Sequence, residues 1–105
     1  MKTRIDIAKY FAKSIKNNKI KKVILFGSVA RGEDNEESDI DILIVSSFRE
    51  DIFDLIYNKV FEILMEEDEH ISAHIISEKR FNTKKHYSFL SNVLEEGVLL
   101  GDVSK

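Results

Sequence analysis

Cysteine is absent from this chain, which excludes disulfides and thiolate zinc sites and suits a reducing compartment. Proline is absent too, and with no low-complexity tract there is no linker at which to divide the sequence. The 105 residues are expected to form one compact domain spanning 1–105. No apolar run approaches the roughly 18 residues that a membrane-crossing helix needs. The first residues also lack the apolar stretch of a signal peptide, so the expectation is a soluble, cytoplasmic protein with no membrane partner. Basic residues run short in one long region: from Glu33 to Glu69 only Arg49 and Lys59 stand against fourteen acids. Through Gly32 the balance is reversed, with nine Lys or Arg and the single acid Asp6. A net charge of −3 makes non-specific nucleic-acid binding a poor fit. The basic N-terminal helix could meet an acidic partner surface, although a solvated helix face is the plainer reading of such a run.

What is present is a regular alternation of helical and extended patterns. Thr3 to Asn18 reads as an amphipathic helix, started by Thr3 and Asp6 and buried along Ile5, Ala8, Ala12 and Ile15. Lys19 to Lys22 then links it to an apolar strand, Val23 to Phe26. An acidic and mobile loop, Glu33–Ser38, leads into a second strand through Val45. Ser47 with Glu50 forms a capping box that opens a helix through about Glu67. His70 to Ile76 reads as a third strand, with Ile71, Ala73 and Ile75 on one face and His70, Ser72 and His74 on the other. Ser77 caps a short turn through Phe81. A last helix, about Lys84 to Glu96, buries Tyr87, Leu90, Val93 and Leu94 and ends at Gly97. Val98-Leu99-Leu100 is either a short terminal strand or a hydrophobic latch. The pattern predicts an α/β domain: a small mixed β-sheet with helices packed on one face and the other face open for chemistry.

The chemistry concentrates around Gly27-Ser28-Val29-Ala30-Arg31-Gly32 and Ser38-Asp39-Ile40-Asp41. A strand ends at Gly27 and a helix starts at Ser28, so backbone N–H groups there favour an anion and Gly27 lets it approach. Asp39 and Asp41 point to one face of an extended strand, because side chains alternate. Two carboxylates side by side repel unless a cation joins them, and Mg²⁺ is the usual partner when phosphates are also bound. A phosphate cradle beside such a pair is the equipment of phosphoryl or nucleotidyl transfer. Gly27 to Gly32 begins like a P-loop, but Glu33-Asp34 stand where that loop needs Lys and Ser or Thr, and there is no Gly-x-Gly-x-x-Gly. Arg31 is placed either to neutralise a triphosphate or to pair with Asp39 or a loop acid. His70, His74 and His86 have no zinc-ligand spacing.

Gly-Ser, ten residues, then Asp-x-Asp resembles the signature of the DNA polymerase beta-like nucleotidyltransferase superfamily, here over Val23 to Val45. The small size and the Gly-Ser-Val-Ala-Arg-Gly wording are similar to its minimal nucleotidyltransferase (MNT) antitoxin branch. That resemblance implies the nucleotidyltransferase fold, with Gly27, Ser28 and Arg31 on the triphosphate of ATP and Asp39 and Asp41 holding Mg²⁺. It implies in-line attack on the α-phosphate with pyrophosphate leaving. It also implies a HEPN-type helical partner protein, which the antitoxin would modify with a nucleoside monophosphate. The family's third carboxylate has no counterpart here: the matching strand reads Ser72-Ala73-His74-Ile75-Ile76, and His74 stands on the expected face. Histidine can serve as a general base near neutral pH but binds Mg²⁺ poorly. Two other readings stay open: a catalytically weakened nucleotide-binding antitoxin that neutralises its partner by contact, and a small-molecule nucleotidyltransferase. The sequence does not decide whether the chain forms a homo-oligomer.

Overall fold

The computed structural model describes residues 2–47, 52–84 and 86–102. Helix α1 (Arg4–Ser14) starts as expected: Thr3 Oγ1 accepts from the Asp6 backbone N–H at 3.1 Å, and the Thr3 N–H donates to the Asp6 carboxylate at 3.2 Å. It stops well before Asn18, and its buried stripe is Ile7, Ala8, Phe11 and Ala12, followed by Ile15. Ile5, expected in that stripe, is 45% exposed. Steps of four from Ile7 through Phe11 to Ile15 keep one face on the sheet, and Ile5 falls off it.

Strand β1 (Ile20–Phe26) begins earlier than the apolar run suggested, so Lys21 and Lys22 belong to the strand rather than to a linker. It leads directly into α2 (Gly27–Arg31), which Gly32 ends in the left-handed conformation. Strand β2 (Ile40–Ser46) runs antiparallel to β1, with Phe26 opposite Asp41. The Ser47 hydroxyl, expected to cap the next helix, donates to the Lys19 carbonyl at 3.1 Å. The following helix α3 (Phe53–Glu67) starts at Ile52 without a side-chain cap, and Glu50 lies outside the described residues. Strand β3 (Ile71–Ser77) pairs parallel with β2, setting Asp41 beside Ser72 and Leu43 beside His74.

Ser77 caps α4 (Glu78–Lys84) by accepting from the Arg80 N–H at 3.1 Å. Helix α5 (Ser88–Glu96) buries Leu90 and Val93, whereas Tyr87 and Leu94 are exposed, contrary to expectation. Gly97 has an ordinary extended backbone. Glycine is needed there for space, since a Cβ would come 2.4 Å from the Val93 carbonyl oxygen and 2.5 Å from Ile24 Cγ2. The tail is a true strand, β4 (Val98–Asp102), antiparallel to β1.

The sheet order is β3-β2-β1-β4, a mixed sheet as the sequence pattern predicts. On one face Ile40, Ile42 and Ile44 pack with Phe11 of α1 and with Ile56 and Ile63 of α3. On the other face Leu43 and Val45 join Ile24, Phe26, Phe81, Leu90 and Val93 in a smaller cluster. Helices α4 and α5 therefore cover part of the second face, and the carboxylates keep the remainder. Among the described residues no helix is long and apolar enough to cross a membrane.

Candidate active site

The turn from β1 into α2 places Gly27 directly against Asp41. Gly27 has φ +78°, a conformation that L side chains rarely adopt, and a Cβ there would stand 2.3 Å from Asp41 Oδ2. The left-handed backbone calls for glycine, and the carboxylate lies so close that an added side chain would displace it, before any phosphate arrives. Ser28 follows in the first turn of α2, half-buried, and its carbonyl accepts from the Glu33 N–H at 2.8 Å.

Asp39 lies one residue before β2 and Asp41 one residue inside it, on the same face. Burial pushes the Asp41 carboxyl above the usual carboxylate range. His74 pulls it back, the charge of Asp39 adds to the rise, and Arg31 opposes it. Each aspartate has a histidine beside it: His70 Nδ1 is 3.4 Å from Asp39 Oδ2, and His74 Nε2 is 3.9 Å from Asp41 Oδ1. His74 reaches Asp41 diagonally across β3, as strand alternation predicts. Ser72 Oγ, on the position facing Asp41, lies 3.3 Å from His74 Nε2. The imidazole is edge-on to Phe26 with centroids 5.3 Å apart, and Phe89 of α5 closes the cluster at 6.0 Å.

Arg31 pairs with acids here, though not with Asp39. It donates to Glu33 of the loop at 2.8 Å and to Glu96 at the end of α5 at 3.0 Å. The acidic loop is also tied down. Arg4 of α1 donates to Asp34 at 2.9 Å and to Glu69 at 3.0 Å, and reaches the Asn35 and Glu36 carbonyls. Neither Arg4 nor Glu96 carried a sequence signal, since each acts on residues far away along the chain. Phe26 could have been found, as the last apolar residue before the glycine turn.

The donor set fits a divalent cation in one way. Among the described residues no group of three or more His, Cys, Asp or Glu is arranged to hold a metal ion. Two neighbouring carboxylates, one with a raised pKa, are nonetheless the protein share that Mg²⁺ takes when phosphate oxygens and water supply the rest. From His74 a groove of 910 Å³ runs away from the carboxylates along β3 and α4.

The sequence and the fold resemble known proteins. The family model for a nucleotidyltransferase domain matches residues 7–100. A protein of Methanocaldococcus jannaschii, provisionally named a protein adenylyltransferase, is 48% identical over 88 residues, covering 84% of this chain and 85% of its own. A solved toxin–antitoxin structure with AMP-PNP superposes with a TM-score of 0.64 at 17% identity, over 98% of this chain and 76% of that one. A second, of the tri-AMPylated Shewanella oneidensis HEPN toxin in complex with MNT antitoxin, gives 0.57 at 14% identity, over 96% and 74%. At those identities the structural likeness speaks to the fold.

Proposed function

For a chain that belongs to the nucleotidyltransferase domain family, we propose that it transfers AMP from ATP to a hydroxyl of a partner protein. The observation that carries this reading is the contact of Gly27 with Asp41, which joins the glycine turn and the carboxylate pair into one site. The name of the Methanocaldococcus relative, a protein adenylyltransferase, supports protein as the acceptor. The two toxin–antitoxin neighbours, one of them a HEPN toxin with its antitoxin, support a HEPN-type helical protein as the partner.

In this reading Gly27 and the first N–H groups of α2 receive the phosphates, with Ser28 beside them. Asp39 and Asp41 would hold Mg²⁺, which when bound supplies charge neutralisation on the α-phosphate and on the leaving pyrophosphate. The acceptor oxygen forms a bond to the α-phosphorus as the bond to pyrophosphate breaks. His74, beside Asp41, would take the acceptor proton in place of a third carboxylate. Arg31 can turn from Glu33 and Glu96 to the triphosphate, exchanging carboxylate for phosphate partners. The absence of a third acid within the described site favours one further reading, an antitoxin that binds nucleotide and acts by contact.

Incubation of the protein with ATP labelled on the α-phosphate, Mg²⁺ and the co-expressed HEPN-type chain tests the proposal. Covalent label on the partner, lost in Asp39→Asn with Asp41→Asn, is the expected result. Binding of the partner with no label transferred would leave the contact reading in its place.

A further inference from the structure

The groove that starts at His74 has a charge opposite to that of the chain. His74, Arg80 and Lys84 line it, and none of the described residues that line it is a carboxylate. The protein as a whole carries a net charge of −3. Arg80 and Lys84 stand four apart, hence on one face of α4. The Arg80 side chain is exposed, while Lys84 sits over the Tyr87 ring at 4.6 Å. Three aromatic side chains form the walls, and each is about half exposed or more: Tyr57 at 48%, Tyr87 at 62% and Phe89 at 52%. Exposed aromatics gathered around a cleft with fixed charge are the composition of a binding surface, where isolated ones are ordinary.

The groove also has a direction. Asp41 lies between the glycine turn on one side and His74 on the other, with Gly27 against Oδ2 and His74 near Oδ1. In an in-line transfer the acceptor oxygen and the leaving pyrophosphate stand on opposite sides of the phosphorus, so with the pyrophosphate toward the glycine turn the groove beyond His74 lies on the acceptor's side.

We propose that this groove docks an acidic segment of the acceptor protein, with Arg80 and Lys84 pairing its carboxylates while the aromatic walls cover its apolar atoms. The word acceptor rests on the transfer reading above; the charge selectivity does not. A nucleic-acid strand fits less well, because two cations neutralise few phosphates and the net charge of the chain opposes a polyanion.

The test uses a fluorescent peptide with a central tyrosine flanked by glutamates, a lysine-flanked counterpart and a single-stranded RNA of similar length. Anisotropy should show the acidic peptide binding the whole protein, weakening with added salt, and losing at least about tenfold in affinity with Arg80→Glu plus Lys84→Glu. Arg80 is exposed and Lys84 half-buried on α4, and circular dichroism checks that the variant is folded. The stabilisation of the variant by ATP with Mg²⁺ should equal that of wild type. Equal binding of both peptides, or stronger binding of the RNA, overturns the proposal. So does loss of the ATP response in the variant, which would make the groove part of the nucleotide site. Charge-selective peptide binding without any ATP response in wild type supports the groove and fails only the transfer reading.

Discussion

Ile42 and Asp41 are neighbours in the same strand, yet they meet opposite demands. Ile42 is fully buried between the sheet and α1 and α3, in a cluster made of aliphatic side chains and Phe11. Asp41 faces the other way, beside a second carboxylate, with its pKa raised by burial. One face of β2 is apolar from Ile40 through Ile44, and the other, apolar at Leu43 and Val45, holds charge at Asp41 at a cost to stability. The difference teaches where function sits: on the face where ordinary folding preferences are broken and something bound must offset the repulsion.

The largest effect expected from this contrast is on the dry face. Ile42→Ala should destabilise the protein by about 2–5 kcal/mol, the range for deleting a buried aliphatic side chain, as read by urea denaturation. A loss below about 1 kcal/mol would mean that the two faces differ less than their packing indicates. Next comes the turn. Gly27→Val forces an L side chain into the left-handed region at about 1–2 kcal/mol, and its Cβ displaces the Asp41 carboxylate. The protein should stay folded while its stabilisation by ATP and Mg²⁺ disappears in a thermal melt. Retention of that stabilisation would separate the glycine turn from the site.

The smallest effect sharpens the contrast on the charged face. A carboxyl with a raised pKa binds protons more tightly when folded, so its contribution to stability falls as pH rises from the usual aspartate value through the raised one. Asp41→Asn should remove that decline and leave the unliganded protein at least as stable as wild type at neutral pH. A clear loss of stability in Asp41→Asn at pH 7 would make Asp41 a structural residue.

What could be read beforehand was local. The period-two alternation of Ile40, Ile42 and Ile44 against Asp39 and Asp41 fixes a face without any tertiary knowledge, and the same rule brought His74 near Asp41. The glycine turn was legible because it is a contiguous string. The misread positions are those decided by partners distant in sequence. Ser47 bonds the Lys19 carbonyl across the sheet end, a contact that its reading as a helix cap did not include. The loop Glu33–Ser38 looked mobile, and Arg4, about thirty residues earlier, ties it to α1. Arg31 found Glu96, which is 65 residues away. Gly97 ends α5 as expected, donating to the Val93 carbonyl, but what asks for glycine there is the room taken by Ile24, 73 residues earlier. Periodicity reports which face a residue takes, whereas it carries no record of which distant side chain will meet it there.

The central claim is that Asp39 and Asp41 form the metal-dependent nucleotide site of the open face. Calorimetric titration of ATP into the protein tests it most directly, with and without Mg²⁺, for wild type and for Asp39→Asn with Asp41→Asn. Wild type should bind only with Mg²⁺, and at a roughly hundredfold excess over its dissociation constant should gain about 2.7 kcal/mol of stability. The folded double variant should show no Mg²⁺-dependent heat. Equal Mg²⁺-dependent binding by the double variant would contradict the account.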